Sequence, residues 1–148
     1  MPTRSEDLTL ELKRTLPAAP SVVFELFTNP TELARWWGPE GFSTPSMDYD
    51  PRVGESYRIE MRPPDGDAFH LTGEFRAVES PTRLAYTFRW EPPDPNDVET
   101  VVELSFRDRG ESTEVELGQG PFRTEARRAL HRDGWTDSFN RLEALLSP

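Results

Sequence analysis

With 148 residues, the chain has the length of one domain, and 1–148 is read as a single unit. Its 17 basic and 27 acidic side chains give a net charge of −10, which excludes binding to nucleic-acid phosphates or anionic membranes, since both need basic patches. Cysteine is absent, so there is no disulfide framework, thiolate nucleophile or Cys-based metal site.

Only 34% of the residues are hydrophobic, but four Trp and nine Phe concentrate the apolar surface in large rings. The opening MPTRSEDLTL has no apolar leader region, and no run approaches the roughly 18 apolar residues of a membrane span. Cytoplasmic residence is the expectation.

In chain order, residues 7–16 alternate, with Leu8, Leu10 and Leu12 on one side and Thr9, Glu11 and Lys13 on the other, which predicts a half-buried strand. SVVFELF (21–27) predicts a short helix behind Pro20, with Val23, Phe24, Leu26 and Phe27 as its apolar face. Asn29-Pro30-Thr31-Glu32 is an N-cap with Pro at the first helical position, and predicts a second short helix through Trp36 and Trp37. Gly38-Pro39-Glu40-Gly41 stops it.

From Phe42 to about Leu117 the period is two. Tyr57, Ile59 and Met61 share one phase, as do Phe69, Leu71, Gly73 and Phe75, then Leu84, Tyr86, Phe88 and Trp90, then Val102, Leu104 and Phe106, then Val115 and Leu117. The opposite phase is charged, as in an antiparallel sheet wet on one side. Short separators at 63–67, 80–83, 91–97 and 108–112 make the strands a meander, and Gly73 marks a bulge or bend.

From about Thr124 to Leu146 the pattern is helical, with Trp135, Phe139, Leu142 and Leu146 on one stripe, Ser138 and Leu145 at its edge, and Leu130 and Ala126 off it. Gly134 suggests a kink or a close backbone approach. The order is β-α-α-β6-α, an α+β domain in which a curved sheet grips the last helix.

A bent sheet meets a helix along a line, so space is expected between them. Strand parity puts its mouth at the 62–68, 91–98 and 118–124 loops. The residues expected around this cavity are Trp36, Trp37, Tyr57, Ile59, Met61, Phe69, Leu71, Phe75, Tyr86, Phe88, Trp90, Leu104, Phe122, His131, Trp135 and Phe139. The same rings are also able to fill it.

FTNPTELARWWGPEGF (27–42), HRDGW (131–135) and SFNRLEALL (138–146) resemble the activator-of-heat-shock-chaperone-ATPase homologue (AHSA-type) family of the START-like, or SRPBCC, superfamily. The resemblance runs from Leu8 to Leu146 and implies the helix-grip fold of the birch-pollen allergen. Members of that superfamily bind lipids, hormones, polyketides or antibiotics, and some are cyclases or hydratases. The family name comes from co-chaperones with an additional chaperone-binding domain, for which 148 residues leave no room.

Catalytic groups are sparse. His70 shares the charged strand phase with Thr72 and Glu74 and reads as a surface residue. His131, one turn before Trp135, is either a pocket acid/base or a locally hydrogen-bonded rim residue. Glu60, Glu74, Glu103, Glu114 and Glu116 all fall in the outward phase, and no strand carboxylate is inward. Arg127 and Arg128 are placed either to meet an acidic ligand or in surface ion pairs. Tyr57, Tyr86 and Trp90 carry polar tips that would orient a ligand. No Gly-rich phosphate loop, nucleophile elbow, HExxH or other metal-ligand spacing occurs, so no metal or cofactor is expected.

Three functions follow: binding of an apolar or aromatic small molecule, lipid- or polyketide-like; a cyclase or hydrolase using His131 and the tyrosines; or a chaperone-interacting module, suggested by resemblance alone. A homodimer through a sheet edge or Trp37 is left open.

Overall fold

The computed structural model describes residues 8–39 and 41–147. The elements are β1 (Leu10–Leu16), α1 (Pro20–Thr28), α2 (Pro30–Leu33), β2 (Met47–Asp48), β3 (Ser56–Met61), β4 (Phe69–Glu79), β5 (Arg83–Glu91), β6 (Thr100–Asp108), β7 (Thr113–Gly120) and α3 (Glu125–Leu146). This is the expected β-α-α-β6-α order of a helix-grip α+β fold. Asp7, the expected start of the first strand, lies outside the described residues.

All strands form one antiparallel sheet in the order β1-β7-β6-β5-β4-β3-β2. The meander β2 to β7 uses local hairpins, and β1 closes it by pairing with β7, from Leu10 opposite Gln119 to Leu16 opposite Thr113. Between β4 and β5 the register slips by one residue after Phe75, leaving Arg76 as the extra residue of a bulge. Gly73, just before it, is required: a Cβ there would overlap the Thr87 carbonyl oxygen and press on the Tyr57 ring at 2.7 Å. The Tyr57 hydroxyl donates to that same carbonyl at 2.6 Å.

The Asn29 carboxamide oxygen accepts from the amides of Thr31 and Glu32, so the cap forms as its sequence implies. The helix after it is shorter than expected. It ends at Leu33, and Trp36 and Trp37 sit in the turn and loop that follow. That irregularity lets the adjacent indoles diverge.

The core is one continuous apolar mass on the inner sheet face. Phe27 anchors one end, edge-on to Trp36 and Phe106 at 4.7 and 5.1 Å, with Phe139 of α3 at 6.5 Å. Tyr57, Phe75 and Tyr86 form a second cluster with Tyr49, whose hydroxyl donates to the Phe27 carbonyl. Burial raises the pKa of all three tyrosines.

Helix α3 is capped by Thr124, whose hydroxyl accepts from the Arg127 amide. It buries His131, Trp135, Ser138, Phe139 and Leu142. The helix runs unbroken through Gly134, and a Cβ on that glycine would meet only the Pro39 ring, at 3.8 Å. The expected close backbone approach is absent, and the space beside Gly134 has another use.

Candidate functional site

The C-terminal half of α3 packs closely. Phe139 and Leu142 are fully buried, and Glu143 pairs with Arg14 of β1 at 3.0 Å. The N-terminal half reaches the sheet through His131, on Trp90, and Trp135, on Gln119. A cavity of about 510 Å3 opens between residues of α3 from Arg127 to Ser138, the loop residues Trp37, Gly38, Pro39 and Phe42, the inner-face residues Met61, Phe69, Phe88 and Trp90, and the β5–β6 loop residues Pro92, Asp94 and Asp97. That volume suits a small organic molecule.

Each wall is fixed by contacts that α3 makes. Ser138 is buried and its hydroxyl accepts from the Gly38 amide at 3.0 Å, while Arg141 donates to the carbonyls of Trp37 and Gly38. Gly38, at φ 97°, takes the left-handed turn that a side chain would strain. Trp37 is thereby set edge-on to Trp135 at 5.1 Å, its indole N–H on the Met61 sulfur. Trp135 in turn donates to Gln119, which donates to Thr100, so its polar tip is satisfied inside the core.

The opposite wall rests on His131. Its Nδ1 lies 2.6 Å from the Arg127 carbonyl, which only accepts, so Nδ1 carries the proton. Its Nε2 accepts from the Trp90 indole N–H at 2.8 Å. Phe122 backs the ring at 4.8 Å and Phe88 lies at 5.6 Å. This is a neutral imidazole with both nitrogens engaged, and its burial pulls its pKa below the ordinary histidine value.

Arg127 holds the β5–β6 loop. Its guanidinium grips Asp97 through Nε at 2.8 Å and Nη2 at 2.6 Å, with the two side chains 18% and 6% exposed. The second Asp97 oxygen accepts from the Asp94 amide. Arg127 is thus spent on this ion pair, and Arg128 pairs with Glu125 and donates to the Thr9 carbonyl.

Of the expected residues, Trp37, Met61, Phe69, Phe88, Trp90, His131 and Trp135 stand on the cavity wall. Trp36, Tyr57, Ile59, Leu71, Phe75, Tyr86, Leu104 and Phe139 do not. They are buried in the packed core deeper along the same sheet face and helix, and Phe122 lies behind His131. The mouth uses the 91–98 loop as expected. The 62–68 loop adds only its flanking Met61 and Phe69, the 118–124 connection adds nothing, and Gly38, Pro39 and Phe42 take their place.

Aspartates lining the cavity were missed, because Asp94 and Asp97 lie in an aperiodic loop and Asp133 and Asp137 on the helix flank. The flank had a signal: Leu130, Gly134 and Ser138 recur every fourth residue beside the core stripe. His70 sits on the outer face between Glu60 and Glu91, away from the cavity. Among the described residues, no three His, Asp or Glu side chains are arranged to hold a metal ion, and no helix is long and apolar enough to cross a membrane.

A family model described as "Activator of Hsp90 ATPase homolog 1-like protein" matches residues 17–147. Among solved structures, a Chromobacterium violaceum protein superposes with a TM-score of 0.87 at 26% identity, covering 96% of this chain and 99% of the other. The AHSA1 protein of Silicibacter pomeroyi gives 0.82 at 27%, covering 93% and 96%. A Nitrosomonas europaea protein gives 0.80 at 26%, covering 95% and 94%. No curated protein matches the chain.

Proposed function

The chain belongs to the Activator of Hsp90 ATPase homolog 1-like protein family, and from that premise we propose that it is a non-catalytic binder of a small apolar or aromatic molecule. The observation that carries this is the 510 Å3 aromatic-walled cavity whose histidine, His131, has both ring nitrogens engaged within the protein. Catalysis by His131 would require breaking the Trp90 bond to free Nε2, and Asp97, whose charge reaches the ring, is held by Arg127. A chaperone-directed role has only the family description behind it.

Gly134 supports the binding reading. Glycine inside a helix costs about 1 kcal/mol relative to alanine. No backbone contact requires it here, and what it leaves open is the cavity.

The test is native mass spectrometry of the purified protein, with thermal-shift titration of 1-naphthylmethanol on wild type and Gly134→Phe. Retained ligand mass or a concentration-dependent rise in Tm, abolished by the phenylalanine, is expected. A protein that carries no ligand and does not respond at millimolar naphthylmethanol would refute the proposal.

A further inference from the structure

We infer that this cavity selects by charge: it takes ligands carrying a protonated amine on an apolar or aromatic body, and rejects carboxylates of the same shape. The inference rests on the binding reading above and names the ligand class for that site. The cavity supplies the site, and the groups around it decide which head group is tolerated.

The polar groups of the wall are unequal in sign. Asp94, Asp97, Asp133 and Asp137 line it, against Arg127 as the one cation among the described lining residues. That guanidinium already makes two contacts to Asp97 in a largely buried pair, so it offers an incoming anion little without first abandoning a buried carboxylate. His131 presents no N–H to the cavity, since Nδ1–H is on the Arg127 carbonyl and Nε2 is an acceptor. The Trp90 indole N–H is spent on His131, that of Trp135 on Gln119 and that of Trp37 on the Met61 sulfur. Apart from the Ser138 hydroxyl, an anionic head group therefore meets carboxylates and occupied donors.

A cationic head group meets the opposite situation. Asp94 and Asp133 are exposed at the mouth, and Trp37, Phe42, Phe69 and Trp90 line the apolar interior, where aromatic faces attract a cation. The whole chain adds to this with a net charge of −10. The positive end of α3 does not reverse the sign, because the cavity meets the side of the helix from Arg127 onward, and Glu125 stands in the first turn.

The experiment compares three probes of one shape by isothermal titration calorimetry at pH 7.5 and low salt: 1-naphthylmethylamine, 1-naphthylmethanol and 1-naphthoate. The amine is expected to bind about fivefold more tightly than the alcohol, as suits contacts to partly exposed charges, and the carboxylate more weakly than either. The gap between amine and alcohol should narrow in 0.5 M NaCl and fall to about twofold in Asp94→Asn/Asp133→Asn. Equal or better binding of the alcohol or carboxylate overturns the charge selection and leaves the binding reading standing. Binding of none of the three overturns both.

Discussion

Trp135→Ala removes the ring on which three parts of the structure meet. The side chain is 4% exposed, edge-on to Trp37 at 5.1 Å, tilted against Phe139 at 5.8 Å, and donates to Gln119 at 2.7 Å. Truncation of a buried Trp costs roughly 3–5 kcal/mol through lost transfer energy and residual void. An orphaned Gln119 oxygen adds about 1 kcal/mol or more unless water enters from the cavity to satisfy it. We therefore expect a loss of about 4 kcal/mol in urea unfolding, with an unchanged denaturant slope and a Tm lower by roughly 8–16 °C for a chain of this size. Trp135→Phe keeps a ring and loses the N–H, and should cost about half as much. A Trp135→Ala loss below about 1 kcal/mol would mean that α3 does not seal the core through this residue.

Three further outcomes follow from the same contacts. Gly134→Ala should stabilise by about 1 kcal/mol in urea unfolding, since its Cβ meets only Pro39 at 3.8 Å; a destabilised variant would show that the site is tighter than the structure has it. Arg127→Met strands Asp97 at 6% exposure and should cost about 3 kcal/mol, most of it recovered in Arg127→Met/Asp97→Leu; a double-mutant cycle that is simply additive would dissolve the pair. The folded pKa of His131 is depressed by burial, so the folded state binds fewer protons there than the unfolded state. Its stabilising contribution is full above the unfolded value of about 6.5 and is lost as pH falls towards the depressed folded value. Urea unfolding at pH 7.5 and 5.0 should show wild type losing more stability on acidification than His131→Gln, and parallel losses would count against a neutral, buried imidazole.

The strands, the Asn29 cap and the buried stripe of α3 were legible because each depends on local periodicity or capping chemistry. The division between wall and core was not. Phe69, Leu71 and Phe75 share one phase of β4, yet Phe69 lines the cavity while Leu71 and Phe75 are fully buried. Phase sets which face a side chain occupies, and whether it lines the cavity or the packed core is set by where along α3 the cavity opens. Trp36 and Trp37 diverge for a similar reason, since the fate of each depends on Leu26 and Met61, which the fold brings from distant elements. The Asp94 and Asp97 contributions come from a loop whose position is fixed by a contact to Arg127 thirty residues away, and no local pattern encodes it.

The most direct test of the cavity reading uses the four tryptophan indole N–H signals in a 1H–15N correlation spectrum, titrated with 1-naphthylmethanol. Trp37, Trp90 and Trp135 line the cavity, whereas Trp36 is buried with its N–H on the Leu26 carbonyl. Saturable shifts of the first three with Trp36 still are the expected result. No saturable shift, or shifts confined to the outer sheet face around His70, would contradict a ligand-binding cavity beside α3.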